Sequence, residues 1–293
     1  MQNSAEHGTP ARADHPLRGL PHPFDRLHPG MYAAEMAGTA LMVAGGLSVV
    51  IAMFGNGSPL AGLAGSDAAQ RAITGFLFGS IGALVCISPL GKVSGSHINP
   101  AVTFAFWLEG KIAWRDALGY VLAQIAGGVL GALPLLWWGS WGSSVAYGAT
   151  VPAADVAIWW PVLGEAICTY LLVTMIFVMA AHRPTQPWLP YASAPLFSLL
   201  VCLEAPLSGT SANPARSIGP ALITGDWGSQ WVYVAGPCLG AALAVGILRF
   251  EAFRHHRPHE ARRVHFSLHL HMPHLHHRHA ADRRSELPAT EPG

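Results

Sequence analysis

Two stretches decide how this chain reads: Ser94-Gly95-Ser96-His97-Ile98-Asn99-Pro100-Ala101-Val102 and Ser208-Gly209-Thr210-Ser211-Ala212-Asn213-Pro214-Ala215-Arg216-Ser217. Each runs Ser-Gly, then Asn-Pro-Ala, then an apolar segment too short to cross a bilayer. An Asn followed by Pro marks a helix start. The Asn side chain can accept from the free N–H groups of the first turn, and Pro at the first helical position loses no bond. The sequence therefore predicts two short helices, each opened by Asn, within otherwise apolar sequence.

The surrounding composition sets their environment. Of 293 residues, 51% are hydrophobic and only 11% charged. Soluble domains carry about 25% charge, so this chain cannot coat a globule in water. It reads as an all-α protein that crosses a lipid bilayer several times. Its 32 Gly and 10 Trp fit closely packed helices and interfacial aromatics. A net charge of +1 gives no basis for nucleic-acid binding. Cys86, Cys168, Cys202 and Cys238 all fall in apolar segments and read as small core residues. Residues 1–30 are polar and rich in Pro and His, unlike a signal peptide.

Six apolar segments approach the roughly 20 residues a span requires: 32–54, 71–91, 114–138, 159–181, 188–207 and 230–250. The predicted loops 55–70, 139–158 and 224–229 contain no Lys or Arg. The opposite side collects Arg12, Arg18, Arg26, Lys92, Lys111, Arg115, Arg183 and the basic C-terminal residues. An excess of Lys and Arg marks the cytoplasmic side, which places both termini there. Arg71 and Arg216 stand apart from this set.

The chain also repeats itself. Glu35-Met-Ala-Gly-Thr39 is echoed by Glu165-Ala-Ile-Cys-Thr169, Asn99-Pro-Ala by Asn213-Pro-Ala, and Tyr120-Val-Leu-Ala-Gln124 by Tyr233-Val-Ala-Gly-Pro237. Halves of about 31–140 and 157–250 hold three spans each, so they lie in opposite orientation. The two short helices enter from opposite sides and meet near the midplane as a broken seventh span. A disordered N-terminal segment (1–30) and a disordered tail (251–293) flank this unit. The tail holds ten of the sixteen histidines. It reads as a solvated segment or a weak transition-metal binder; within the spans no metal set and no cofactor is expected.

Non-helical backbone at membrane depth must be buried or line water. Gly95, Ser96, His97 and Ile98 in one loop, and Gly209, Thr210, Ser211 and Ala212 in the other, would turn their free carbonyls toward a passing solute. The two helix N-termini bring positive dipole ends to the same point. Asn99 and Asn213 add amide donors there. Such a point accepts an oxygen lone pair and repels cations. Glu35 and Glu165 occupy equivalent positions and need buried partners; the loop N–H groups would satisfy them. Gln124 reads as a further polar support. Glu204, one turn beyond Val201, reads as an outer-vestibule residue or a partner of Arg216.

The paired Asn-Pro-Ala boxes, the paired Glu-x-x-x-Thr and the Arg after the second box together resemble the aquaporin (major intrinsic protein) family over residues 30–250. The resemblance implies six membrane-spanning helices with two re-entrant half-helices, assembled as a homotetramer of independent pores. It implies a passive channel for water and small neutral solutes in a bacterial inner membrane, not an enzyme. In its terms Asn99, Pro100, Ala101, Asn213, Pro214 and Ala215 form the pore centre. Arg216, Thr210 and Val201 contribute to an outer filter, together with either Phe78 or Gly79. His97 lies at the cytoplasmic mouth. Val201 stands where strict water channels have His, which implies a wider or less polar filter. Ser217 stands where glycerol facilitators have Asp, which leans modestly the other way. A dedicated polyol facilitator and an ion-coupled transporter are the alternative readings.

Overall fold

The computed structural model describes residues 27–250 and 255–263. The long helices are α1 (Pro29–Phe54), α2 (Asp67–Ile87), α5 (Trp114–Ala132), α7 (Trp159–Ala181), α8 (Leu189–Ser208) and α10 (Val232–Leu248). Between them lie the short helices α3 (Pro89–Ser94), α4 (Pro100–Leu108), α6 (Gly139–Ser144) and α9 (Pro214–Thr224). Among the described residues, five apolar segments are long enough to cross a bilayer, the third being α5 continued through a 3-10 turn into α6; α10, at 17 residues, is shorter. At about 1.5 Å per residue it still extends about 26 Å.

Local chemistry explains where these elements begin and end. Ser66 caps α2 by accepting from the Ala69 N–H at 3.3 Å, so this helix starts earlier than hydropathy alone suggests. Ser88 then starts α3, whose end passes through left-handed Gly95 (φ +86) into the first pore loop. α8 ends the same way at Gly209 (φ +83). Pro206 lacks the N–H that would bond the Cys202 carbonyl. Arg71 supplies it instead, its Nε donating to that carbonyl at 3.2 Å. That contact accounts for one of the two arginines that broke the charge pattern.

The helices pack in repeat-related pairs, α1 with α5 and α7 with α10, while α2 and α8 close the ring between them. Glycines permit the close approach. A Cβ on Gly127, Gly131 or Gly240 would come within 2.3 Å of a backbone carbonyl of the facing helix. One buried cluster centres on Phe106, Phe177 and Leu172, another on Leu47, Ile51 and Leu135.

The structure revises one boundary. The tail was expected to be separate from residue 251 onward, yet residues 255–263 lie against the face that carries the chain ends. Glu109, buried in the turn after α4, pairs with Arg249 (3.4 Å) and with Arg257. Two buried oxygens offered to two guanidinium groups account for the docking. Residues 1–26 and 264–293, including the cluster His274, His276, His277 and His279, lie outside the described residues.

Candidate functional site

The site is built by two loops with one backbone plan. Ser96 and Ile98 have φ of +56° and +43°; Thr210 and Ala212, at matching positions, have +50° and +48°. Left-handed conformations cost non-glycine residues of order 1–3 kcal/mol each, so something must hold them. In the first loop it is Glu35. Its Oε1 accepts from the Ser94 hydroxyl (2.6 Å) and the His97 N–H (2.9 Å). Its Oε2 accepts from the Ile98 N–H (2.6 Å) and Gln124 Nε2 (2.7 Å). In the second loop Glu165 accepts from the Ser208 hydroxyl (2.6 Å) and from the Ser211 and Ala212 N–H groups (2.7 Å each). Tyr120 and Tyr233 donate to the Ser94 and Ser208 carbonyls, each at 2.7 Å. Each carboxylate draws the loop N–H groups to one side and so leaves loop carbonyls facing the other. The structure places Glu35 and Gln124 against the first loop and Glu165 against the second. Pro237, in the place of Gln124, leaves Glu165 one donor short of its counterpart.

The two loops meet through their asparagines. Asn99 Oδ1 accepts from the Ala101 N–H (2.9 Å) while its Nδ2 donates to the Ala212 carbonyl (2.7 Å). Asn213 Oδ1 accepts from the Ala215 N–H (3.0 Å) while its Nδ2 donates to the Ile98 carbonyl (2.9 Å). Pro100 and Pro214 occupy first helical positions, and Ala101 and Ala215 are fully buried behind them. Each amide keeps a second N–H. Both asparagines line a central cavity that offers about 30 Å³ to the centres of water molecules. One water needs roughly 10–15 Å³ on that measure, so the cavity has room for about two.

Arg216 donates from Nη1 to the Gly148 carbonyl at 2.7 Å, and its guanidinium carbon lies 6.0 Å from the Phe78 ring centre. A hydroxyl chain backs it: Thr150 to Ser217 (2.8 Å), Ser217 to Ser211 (2.6 Å), and Ser211 to the Asn213 carbonyl (2.8 Å). Phe78 and Gly79 face different neighbours. Gly79 packs on the α8 backbone, where a Cβ would stand 2.7 Å from the Ala194 Cα. Phe78 turns its ring toward Arg216 and stacks on Phe197 at 6.1 Å. Val201 packs against Gly75 of α2.

One expectation changes. Glu204 does not pair with Arg216. It is 9% exposed, sits against Gly164, and accepts the Thr210 hydroxyl at 2.5 Å. The left-handed turn at Gly209 folds the loop back over the last turn of α8, which brings Thr210 to Glu204. His97 sits where the tail meets the first loop. Its ring is fully buried on Phe106, with one nitrogen 3.1 Å from the Thr103 hydroxyl and the other 3.1 Å from the Ala261 carbonyl.

Several contributors escaped the sequence reading. Phe197 lines the cavity four residues before Val201, so helical spacing could have pointed to it. The Gly148 carbonyl had no such signal. Neither did Arg263, which reaches the same cavity from the tail.

Known proteins resemble this chain in sequence and in fold. The sequence profile described as "Major intrinsic protein" matches residues 28–248. "Aquaporin NIP1-1" of Zea mays is 38% identical over 173 residues, 57% of this chain and 60% of that one. "Probable aquaporin TIP1-2" of Oryza sativa subsp. japonica is 34% identical over 223 residues, 73% of this chain and 86% of its own. The Zea mays match thus spans about three-fifths of that relative's length. Among solved structures, the aquaglyceroporin from Plasmodium falciparum superposes with a TM-score of 0.61 at 18% identity, covering 76% of this chain and 96% of its own, and shares the fold. The profile match over most of the chain and the paired boxes lead to one assignment: the protein belongs to the major intrinsic protein family.

Proposed function

We propose that this protein is a passive channel that conducts water and small neutral solutes across a lipid bilayer and excludes protons and ions. The observation that carries this reading is the crossed bonding of Asn99 and Asn213. It fixes two helix N-termini and two amide donors at one point. A water there can only accept from the amides, so it donates outward in both directions, and a file polarised in this way does not relay protons. The positive helix ends oppose cations at the same place. The relatives' names as aquaporins support the same class.

In this reading Arg216, Thr210, Phe78 and Val201 form the outer filter, and loop carbonyls from Gly95 to Ile98 and from Gly209 to Ala212 guide the file on either side. The apolar Val201 removes a donor from that ring, so glycerol-sized solutes pass as well as water. Both chain ends face the cytoplasm, in keeping with the positive charge on that side, and four copies assemble with one pore each. Glu35 and Glu165 are both occupied as loop supports, which speaks against either serving as the coupling acid of an ion-coupled transporter.

Stopped-flow light scattering on proteoliposomes tests this. Osmotic shrinkage well above that of empty vesicles is expected, followed by reswelling as glycerol enters. Shrinkage no faster than in empty vesicles, from the full chain and from a chain lacking residues 255–293 alike, overturns the channel; fast water flux without glycerol entry overturns the solute range.

A further inference from the structure

The tail segment does more than cover the protein. Its main chain is pinned to the first pore loop, where the Arg263 N–H donates to the Gly95 carbonyl at 2.9 Å. Gly95 is suited to this contact, because a Cβ there would lie 2.9 Å from the Ala261 carbonyl. From that anchor the Arg263 side chain enters the pore. Its Nη1 lies 3.4 Å from the Ser96 carbonyl and 3.5 Å from the His97 carbonyl, and its Nη2 donates to the Ser193 hydroxyl at 3.1 Å. The residue is 5% exposed and lines the cavity shared with Asn99 and Asn213.

We propose that residues 255–263 form an intramolecular stopper that closes the pore from the face carrying the chain ends, with the Arg263 guanidinium occupying the path of the permeating solute. The chemistry suits the place. A guanidinium is a planar array of donors with no acceptor, and this half of the pore presents carbonyl acceptors. Ser96 and His97 offer the tail the groups that otherwise receive the water file, and the second nitrogen of His97 is spent on Ala261. The charge also sets how far the side chain can go, since the two helix N-termini at the asparagines repel it and stop it short of the centre. Arg257 on Glu109, and Arg262 within 3.4 Å of the Lys92 carbonyl, hold the approach.

The proposal rests on the channel reading above, and one experiment separates the two. Full-length protein, Arg263→Ala, a chain lacking residues 255–293, and empty liposomes are compared by stopped-flow water flux at equal protein content. The truncation keeps the Arg249 contact with Glu109 and vacates the place of residues 255–263. Arg263→Ala and the truncation should both conduct about tenfold faster than the full chain, the ratio that a docking preference of about 1.4 kcal/mol produces. A synthetic peptide of residues 255–263, present on both sides of the vesicles, should slow the truncated protein again. That reversal also shows that the truncated chain is folded. Full-length flux above empty vesicles with neither variant faster overturns the stopper and leaves the channel standing. No flux above empty vesicles from any variant overturns the channel, and the stopper with it.

Discussion

Replacing Glu165 by Ala removes the carboxylate that accepts from the backbone of the second pore loop. Two backbone N–H groups, of Ser211 and Ala212, and the Ser208 hydroxyl lose their acceptor at once. A buried N–H left unpaired costs about 1–3 kcal/mol, so the two amides alone account for roughly 2–6 kcal/mol. Thr210 and Ala212 hold strained left-handed conformations that store roughly 2–6 kcal/mol between them. The two terms are of the same size, so the loop has every reason to relax once the carboxylate is gone. Its carbonyls then leave the pore wall and the Asn213 amide loses its alignment. Water flux should fall to that of empty liposomes, and the unfolding temperature in detergent should drop. Glu165→Gln should be intermediate, because the amide oxygen still accepts while its NH2 confronts an N–H donor. Wild-type flux and unfolding temperature in Glu165→Ala would refute the support role.

Further outcomes follow from other contacts. Arg216→Val removes the donor to Gly148 and the charge beside Phe78; the glycerol-to-water permeability ratio should rise several-fold in parallel light-scattering runs, and an unchanged ratio would count against a filter role. Gly128→Ala sets a Cβ 2.2 Å from the Ala215 carbonyl, directly behind the second box; detergent-solubilised protein should lose monodispersity on gel filtration. Acid should undock the tail. His256 is held below its ordinary value of 6.5 by partial burial and by His255 and His182, whose rings lie 3.8 and 5.0 Å away. A docked tail thus binds fewer protons than a free one. This contribution to docking is complete above about pH 6.5 and is lost as the pH falls below that value. Flux should therefore rise between about pH 7.5 and 5.5, and the rise should shrink in His255→Ala/His256→Ala.

What could be read in advance depended on whether a contact leaves a mark on residue identity. Asn-Pro-Ala inside apolar sequence is such a mark, because polar groups at membrane depth are costly and must have a purpose. The paired Glu-x-x-x-Thr and the one-sided Lys and Arg gave the repeat and its inversion, and the helices observed follow. The partner of Arg216 was not legible, because it is a backbone carbonyl in a loop of left-handed residues, and any residue carries a carbonyl. The Thr210 partner of Glu204 was not legible, because helical spacing ignores the turn at Gly209 that doubles the chain back. Phe78 and Gly79 could not be separated by counting, since neighbours on a helix differ only in direction. Arg263 looked like one basic residue among many in a polar tail, and only its position against the Gly95 carbonyl distinguishes it.

The crossed asparagine bonds have a consequence for how the narrowest point comes into being. The amide of residue 99 answers a carbonyl of residue 212, and the amide of residue 213 answers a carbonyl of residue 98. Neither repeat can complete this joint from its own sequence. The broken span is nowhere encoded as a continuous segment. It appears only when the two halves, inserted in opposite directions, find the same depth. Each half thus acts as the gauge for the other, and an error of register in either one is reported at the centre as two unmade bonds.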